Sequence, residues 1–469
     1  ALLLVALQLL SAIAPAAEDA APAPSVAWDA VDAALAPSVG SDAKPMMEVT
    51  IAIDPTDADR MVASMIVYGN PPQACCSRGI WRVGWSTTDD GGATWTYRGL
   101  MPAIGHDGQP MTCDHPTSFD PWLTFDRHGV AYLAYASTRS GVPSLHACTD
   151  STLAVARSTD GGVTWQAPVV VARADTSCFA DRDAIVADPH RDVLYVTWSG
   201  IGCPGNPIYL SRSTDGGLTW SAPASVSVPG DIEAYGGSPR VAPDGSVHVA
   251  YYRGAEFDGC VYLIGSGASG IASAEAVVAS SVDGGATWTH RVIGPVCDTQ
   301  YQTHEQPFSG GAEFSWPMFS IDETTGKRAI AWLHRDQPYT TIHVHTSSDG
   351  GATWTASVVR DEGRSALLPA VAVAGDVVRL VYVSMFSSGQ YEVRYRESAD
   401  GAAWSEPDTL TSVPSCSCWG QVNGPYISTV AIGHYIGLDA RAGRIAATWA
   451  DNRDPTHVQT IYARGGSYS

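Results

Sequence analysis

Lysine is almost missing from this chain. Only Lys44 and Lys327 occur, so the 27 basic side chains are nearly all arginine, set against 48 Asp and Glu and a formal net charge of −21. So acidic a surface repels a polyanion unless a local patch overrides it, and no nucleic-acid partner is expected. Beyond the N-terminus no segment approaches the roughly 18 uninterrupted apolar residues that cross a bilayer, so no spanning helix is expected. Zinc-site spacing is missing as well: Cys75-Cys76 and Cys416-Ser417-Cys418 lack the C-x-x-C pattern, and no His pair accompanies them. Nor is there a D-x-D-x-D-G run of the kind that wraps calcium. No cofactor is implied, although an acidic loop could still hold a structural calcium ion.

The composition that remains is globular: 45% hydrophobic and 16% charged, with 46 glycines and 15 tryptophans. Ala1 to Ala12 are almost all apolar and run into Ala14-Pro15-Ala16. That is the h-region and small-residue cleavage site of an export signal, without its Met and basic n-region. Residues 1–16 are therefore read as a signal peptide truncated at its start, and the mature chain as secreted, periplasmic or cell-surface. The ten cysteines are an even set, and export makes disulfides their default state.

One octet recurs. Ser158 to Trp165 (STDGGVTW) is the cleanest copy, and copies end at Trp95, Trp220, Trp288 and Trp354, with a shortened one, Ser398 to Trp404. The acids are Asp90, Asp160, Asp215, Asp283, Asp349 and Asp400; Trp165 and Trp404 complete the set of tryptophans. This is turn chemistry. The carboxylate accepts backbone N–H groups, the glycines allow positive φ, and the Trp buries a large ring against a sheet. A second repeat counts units: an apolar strand, an Asp or Gly turn, then an alternating strand rich in Val, Ala, Tyr and Trp. It starts at Thr50, Trp122, Ala184, Arg240, Met318, Ala370 and Ile436. Seven such pairs predict seven four-stranded antiparallel blades, with the octets as turns between third and fourth strands. The seventh unit ends without a fourth strand. The Ala- and Pro-rich segment 17–44, around Val31 to Gly40, is expected to supply it; a loose linker is the rival.

The octets resemble the Asp-box, or BNR, repeats of the sialidase-like β-propellers, over residues 45–469. The resemblance implies an all-β propeller; six blades is the usual sialidase number and the alternative to seven. It implies less about function, because hydrolases, lyases and non-catalytic factors share such boxes. Sialidases use three arginines, an acid Asp, and a Tyr with a Glu partner. Their first arginine lies in a Phe/Tyr-Arg-Ile-Pro motif, where this chain has Met46-Met47-Glu48-Val49, and Tyr68-Gly69-Asn70 stands where the acid Asp would be. Asp451-Asn452-Arg453 has the right residue types but lies in the last unit.

In a four-stranded blade the B–C and D–A loops share one face, and here they are the long ones. All ten cysteines fall in them, and Cys178 with Cys203 and Cys260 with Cys297 are plausible pairs. Residues flanking each innermost strand point to the axis. Asp114, His115, Asp120, Asp181, Arg182, Asp183, Glu233, Tyr235, Arg240, Glu313, Arg364, His434 and Tyr435 precede it, and Arg253, Arg335, Asp336, Asp451 and Arg453 leave the second strand. Glycoside hydrolysis needs a carboxylic acid and a second carboxylate or nucleophile, and an anionic sugar needs arginines. Asp120 or Asp183 is therefore expected as acid/base, with Tyr235 or Glu313 as nucleophile partner. Arg182, Arg240, Arg364, His434 and Tyr435 are expected to bind substrate. Each has a structural alternative: Asp120 and Asp183 could cap turns, and Arg335-Asp336 could be a local ion pair. The function so implied is a carbohydrate-active enzyme, hydrolase-like, on an extracellular glycan. The alternatives are a non-catalytic glycan- or protein-binding propeller and a cell-envelope assembly factor.

Overall fold

The computed structural model describes residues 25–35, 46–69, 80–111, 116–138, 151–174, 178–228, 232–254, 274–296, 317–336, 339–416, 433–451, 453 and 460–468. They form a seven-bladed β-propeller of antiparallel blades. The innermost strands are Met46–Asp54, Thr117–Phe125, Phe179–Ala187, Ile232–Val241, Met318–Ile321, Ser365–Ala374 and Gly437–Arg441. Each packs beside the innermost strand of the next blade, and the seventh returns to the first, closing a ring. Burial explains the sequence pattern. Inner strands such as Thr117–Phe125 and Ala131–Thr138 are buried at every residue, so they read as continuous apolar runs. The outer strand Thr96–Leu100 alternates between exposed and half-buried.

The octets link third and fourth strands, as expected. In the second blade Ser158 Oγ donates to Asp160 Oδ1 (2.7 Å), Gly162 N donates to Ser158 Oγ (2.9 Å), and Thr164 donates through N (2.9 Å) and Oγ1 (2.6 Å) to Asp160. The same set recurs around Asp90, Asp215, Asp283 and Asp349. Hydrogen bonds to the ionised form hold the Asp90 and Asp215 carboxyls down at about 2. The octet also joins blades. A Cβ on Gly162 would lie 2.4 Å from Cγ2 of Val62, and Trp85 Nε1 donates to the Gly162 carbonyl (2.8 Å); both residues belong to the first blade.

The seventh blade is completed from the other end of the chain. Ala27 and Trp28 pair with Ser467 and Gly466, and Ala33 and Ala34 pair with Ala463 and Tyr462. Leu35 is fully buried beyond them, and Ser86 Oγ of the first blade donates to its carbonyl (2.7 Å). Asp32, almost wholly buried, is paired with Arg453. Cys178 and Cys203 are disulfide-bonded, tying the start of one innermost strand to the loop after its partner; Cys260 and Cys297 lie outside the described residues.

Gly162 has φ of 85° as well as no room for a side chain. Gly162→Ala should therefore cost about 2–4 kcal/mol, combining left-handed strain with overpacking against Val62. Chemical denaturation reads this out, and a change within about 0.5 kcal/mol would contradict the inter-blade role.

Candidate functional site at the ring axis

Five innermost strands carry the same irregularity near the end where they leave the loop-rich face. The ladder slips between Met47 and Thr50, Phe119 and Trp122, Asp181 and Ala184, Tyr235 and Ser238, and Leu367 and Ala370. The first residue inside each bulge is left-handed: Glu48 (φ 50°), Asp120 (52°), Arg182 (54°), Gly236 (68°) and Leu368 (47°). Pro121 and Pro369 fill the next position, where no ladder N–H is needed. A bulge re-aims the side chain it carries. Only one of the five is glycine, so four strained residues occupy equivalent places, each costing of order 1 kcal/mol or more.

Three of these residues meet. Arg182 is the hub. Its backbone N–H donates to Asp120 Oδ2 (2.8 Å), its Nε donates to the Tyr235 hydroxyl (2.7 Å), and its Nη2 lies 3.0 Å from His434 Nδ1. Asp120 and Asp181 carboxylate oxygens lie 4.0 and 3.9 Å from the guanidinium. The Tyr235 hydroxyl is 3.4 Å from Asp181 Oδ2. Glu48 is paired with His434 Nδ1. That nitrogen can donate to Glu48 or accept from Arg182, and the carboxylate of Glu48 favours the protonated nitrogen. Gly433 makes the approach possible: its φ is 78°, and a Cβ there would lie 2.8 Å from the Glu48 backbone nitrogen.

Burial and charge split these carboxyls into two kinds. Burial pushes Asp120 well up, and the neighbouring Asp181 and Glu48 push it further than Arg182 can offset. Burial also raises Asp183, aided by Asp181; neither of its oxygens has a hydrogen-bond partner among the described residues. Glu48 goes the other way. Burial alone would raise it, but His434 and Arg182 hold it well below the usual carboxylate range. Asp120 and Asp183 are thus biased toward the protonated form and Glu48 toward the ionised one. Burial raises the Tyr235 hydroxyl, with Arg182 opposing. Glu48, Asp120 and Arg182 are closed off from solvent, whereas the side chains of His434 and Asp181 are 25% and 17% exposed and Tyr235 is half-buried. The hub is covered, and the groups it orients face outward.

Tyr435 lies beneath. Its hydroxyl donates to the Pro121 carbonyl (3.3 Å), and its ring packs on Trp122. Two expected substrate-binding residues are elsewhere. Arg240 lies four residues past Gly236, toward the opposite rim of the ring, near Asp439 and Arg441. Arg364 is drawn sideways into its own blade: it donates to Glu392 Oε2 (2.9 Å) and covers the Phe386 ring at 3.7 Å. Arg453 serves the N-terminal closure through Asp32 and Asp451. Glu313, Asp114 and His115 lie outside the described residues, as do the side chains of Glu233, Arg335 and Asp336. Glu48 was not among the expected site residues, although a lone acid in the apolar run Met46-Met47-Glu48-Val49 is itself a signal. Among the described residues no group of three or more His, Cys, Asp or Glu is arranged to hold a metal ion, and no helix is long and apolar enough to cross a membrane.

A carboxyl whose pKa rises on folding contributes stability below its unfolded value and loses it as the pH climbs through the folded one. Thermal melts followed upward from about pH 4, the unfolded carboxyl value, should therefore fall more steeply for the wild type than for Asp183→Asn. Parallel slopes would contradict a protonated Asp183.

No protein-family model matches the chain, and no curated protein sequence matches it. Solved structures share its fold. A protein of unknown function from Dyadobacter fermentans superposes with a TM-score of 0.52 at 14% identity, over 95% of this chain and 100% of that one. An ulvan lyase of polysaccharide lyase family PL25 gives 0.53 at 13% identity, over 91% and 95%. A structure of such an ulvan lyase bound to -[GlcA(1-4)Rha3S]- gives 0.52 at 12% identity, over the same shares. At these identities the likeness establishes the fold.

Proposed function

We propose that this chain is an exported carbohydrate-active enzyme, hydrolase-like, and that the Arg182 hub is its active site. The octets are then Asp boxes of a sialidase-like propeller. The observation that carries the proposal is the pairing of Tyr235 with Arg182 and Asp181 at the partly open end of the cluster. Asp181 is placed to take the hydroxyl proton, and the Arg182 guanidinium to stabilise the phenolate that results. A tyrosine nucleophile suits an anionic sugar, whose charge a bare carboxylate would repel. Asp120 or Asp183, which burial biases toward the protonated form, would protonate the leaving oxygen once substrate binding uncovers it. His434 would bind the substrate, and Arg182, covered as it is, would act by orienting Tyr235 and His434. The substrate class is an extracellular glycan or glycoconjugate bearing acidic sugars. An ulvan lyase of similar fold binds a glucuronate-containing saccharide, which fits this choice. The Cys178–Cys203 disulfide, beside Asp181, fits an extracellular setting and would brace the bulge that carries the hub.

Recognition without turnover is the competing reading. It is favoured by the burial of Arg182, whose side chain is only 5% exposed. A panel of sialylated, uronate-rich and neutral glycans separates the two. New reducing ends report hydrolysis, and an unsaturated uronate chromophore reports elimination. Tyr235→Phe and Asp181→Asn should each lower kcat by about a hundredfold or more on whichever substrate the wild type cleaves. Full activity in Tyr235→Phe would remove the assignment. Tight binding lost in His434→Ala, with no cleavage of any glycan, would establish the non-catalytic reading instead.

A further inference from the structure

A channel of about 240 Å³ runs along the axis beneath Trp122 and Tyr435 toward the opposite rim, where the turns between first and second strands lie. Three charged side chains near that rim settle among themselves. Arg441 binds Glu323 Oε1 (3.0 Å) and Asp439 Oδ2 (3.5 Å). Asp439 also accepts the backbone N–H groups of Ile53 (2.8 Å) and Ala440 (2.9 Å). Asp322, the third acid lining the channel, accepts the backbone N–H groups of Thr324 (2.8 Å), Thr325 (2.9 Å) and Asp376 (3.4 Å), so all three acids are engaged.

Arg240 is left over. It lines the same channel, and its guanidinium makes one hydrogen bond, from Nη1 to the Pro239 carbonyl (2.7 Å). No carboxylate lies within ion-pair distance of it among the described residues. Burial draws its pKa down to about 10, a fall that Asp439 and Glu323 only partly oppose. The guanidinium is half-buried with no counter-charge beside it, and a bound anion facing it from the channel would supply one. The free Nε and Nη2 form a planar fork that matches a carboxylate or sulfate in two hydrogen bonds. Thr50, Thr124 and Ser320 also line the channel, with Thr124 Oγ1 accepting from Ala187 N (3.4 Å) and Ser320 Oγ from Val373 N (2.9 Å).

We propose that the turn-side end of the channel is a second binding site, centred on Arg240, for a small oxyanion: a carboxylate or a sulfate. It is separate from the Arg182 hub. Arg240 lies four strand residues beyond the bulge, about 13 Å along the chain, with Trp122 and Tyr435 between. The anion comes either free in solution or as the acidic group of a sugar acid small enough for the cavity.

The test uses the whole chain at constant ionic strength, with sodium chloride as the balancing salt. Sodium sulfate and sodium glucuronate are titrated separately by calorimetry and thermal melts. One-site saturable binding and a rising Tm are expected for at least one of them. A response to sulfate alone identifies a free inorganic ion, and a response to glucuronate a sugar acid. Arg240→Met should weaken binding at least tenfold, and should itself melt higher than the wild type in chloride because the lone charge is gone. Should Arg240→Met fail to fold, Arg240→Lys replaces it, with binding weakened but measurable. Tyr235→Phe should keep the full anion response, so loss of the proposed catalysis would not touch this site. A wild type that shows no saturable response to either anion would overturn the proposal, as would an Arg240→Met variant that binds as well.

Discussion

A left-handed backbone step at the loop-side end of the innermost strands is the constraint on which the axial site depends. A regular strand alternates its side chains between the two faces of its blade, and none would converge on the ring axis. The bulge breaks that alternation once in each of five blades. It turns Glu48, Asp120 and Arg182 inward from three successive blades, while Gly236 and Leu368 make the same step in two others. L-residues avoid this conformation, and the three inward charges would repel or lose hydration if held singly. Arg182 settles both problems. Its main-chain N–H and guanidinium donate to Asp120 and Tyr235, while His434 Nδ1 pairs with Glu48, so the bent backbone and the buried charges hold one another in place.

Such local strain persists only in a frame that does not yield. The octets and the chain closure supply that frame at the periphery. Each octet satisfies its own turn through one Asp, and at Gly162 and Gly285 the second glycine lets the turn lie close against the neighbouring blade. The N-terminal segment adds the outer pairing that the seventh blade lacks, and buried Leu35 joins that blade to the first. Rigidity is therefore built on the outside of the ring and used on the inside.

Turn chemistry is local, which is why the octets and the seven strand pairs could be read from the sequence and the blade count followed. The site was only partly legible for the same reason. Arg182, Asp120, Asp183, Tyr235, His434 and Tyr435 flank the innermost strands in the sequence and do come together in the fold. Arg240 and Arg364 flank them equally well but part from the cluster. One lies on the far side of its bulge, and the other is captured by Glu392 within its own blade. Sequence position marks the strand; only the register slip decides which rim a residue reaches. Glu48 was passed over because its strand reads as an apolar run, and a bulge inside such a run leaves no pattern of its own.

The central claim is that the hub keeps neighbouring carboxyls in opposite protonation states. Infrared difference spectroscopy at neutral pH measures this directly. The account predicts a protonated carboxyl C=O band that disappears in Asp120→Asn, and a carboxylate band that is lost in Glu48→Gln. A spectrum in which both residues contribute only carboxylate bands would contradict it.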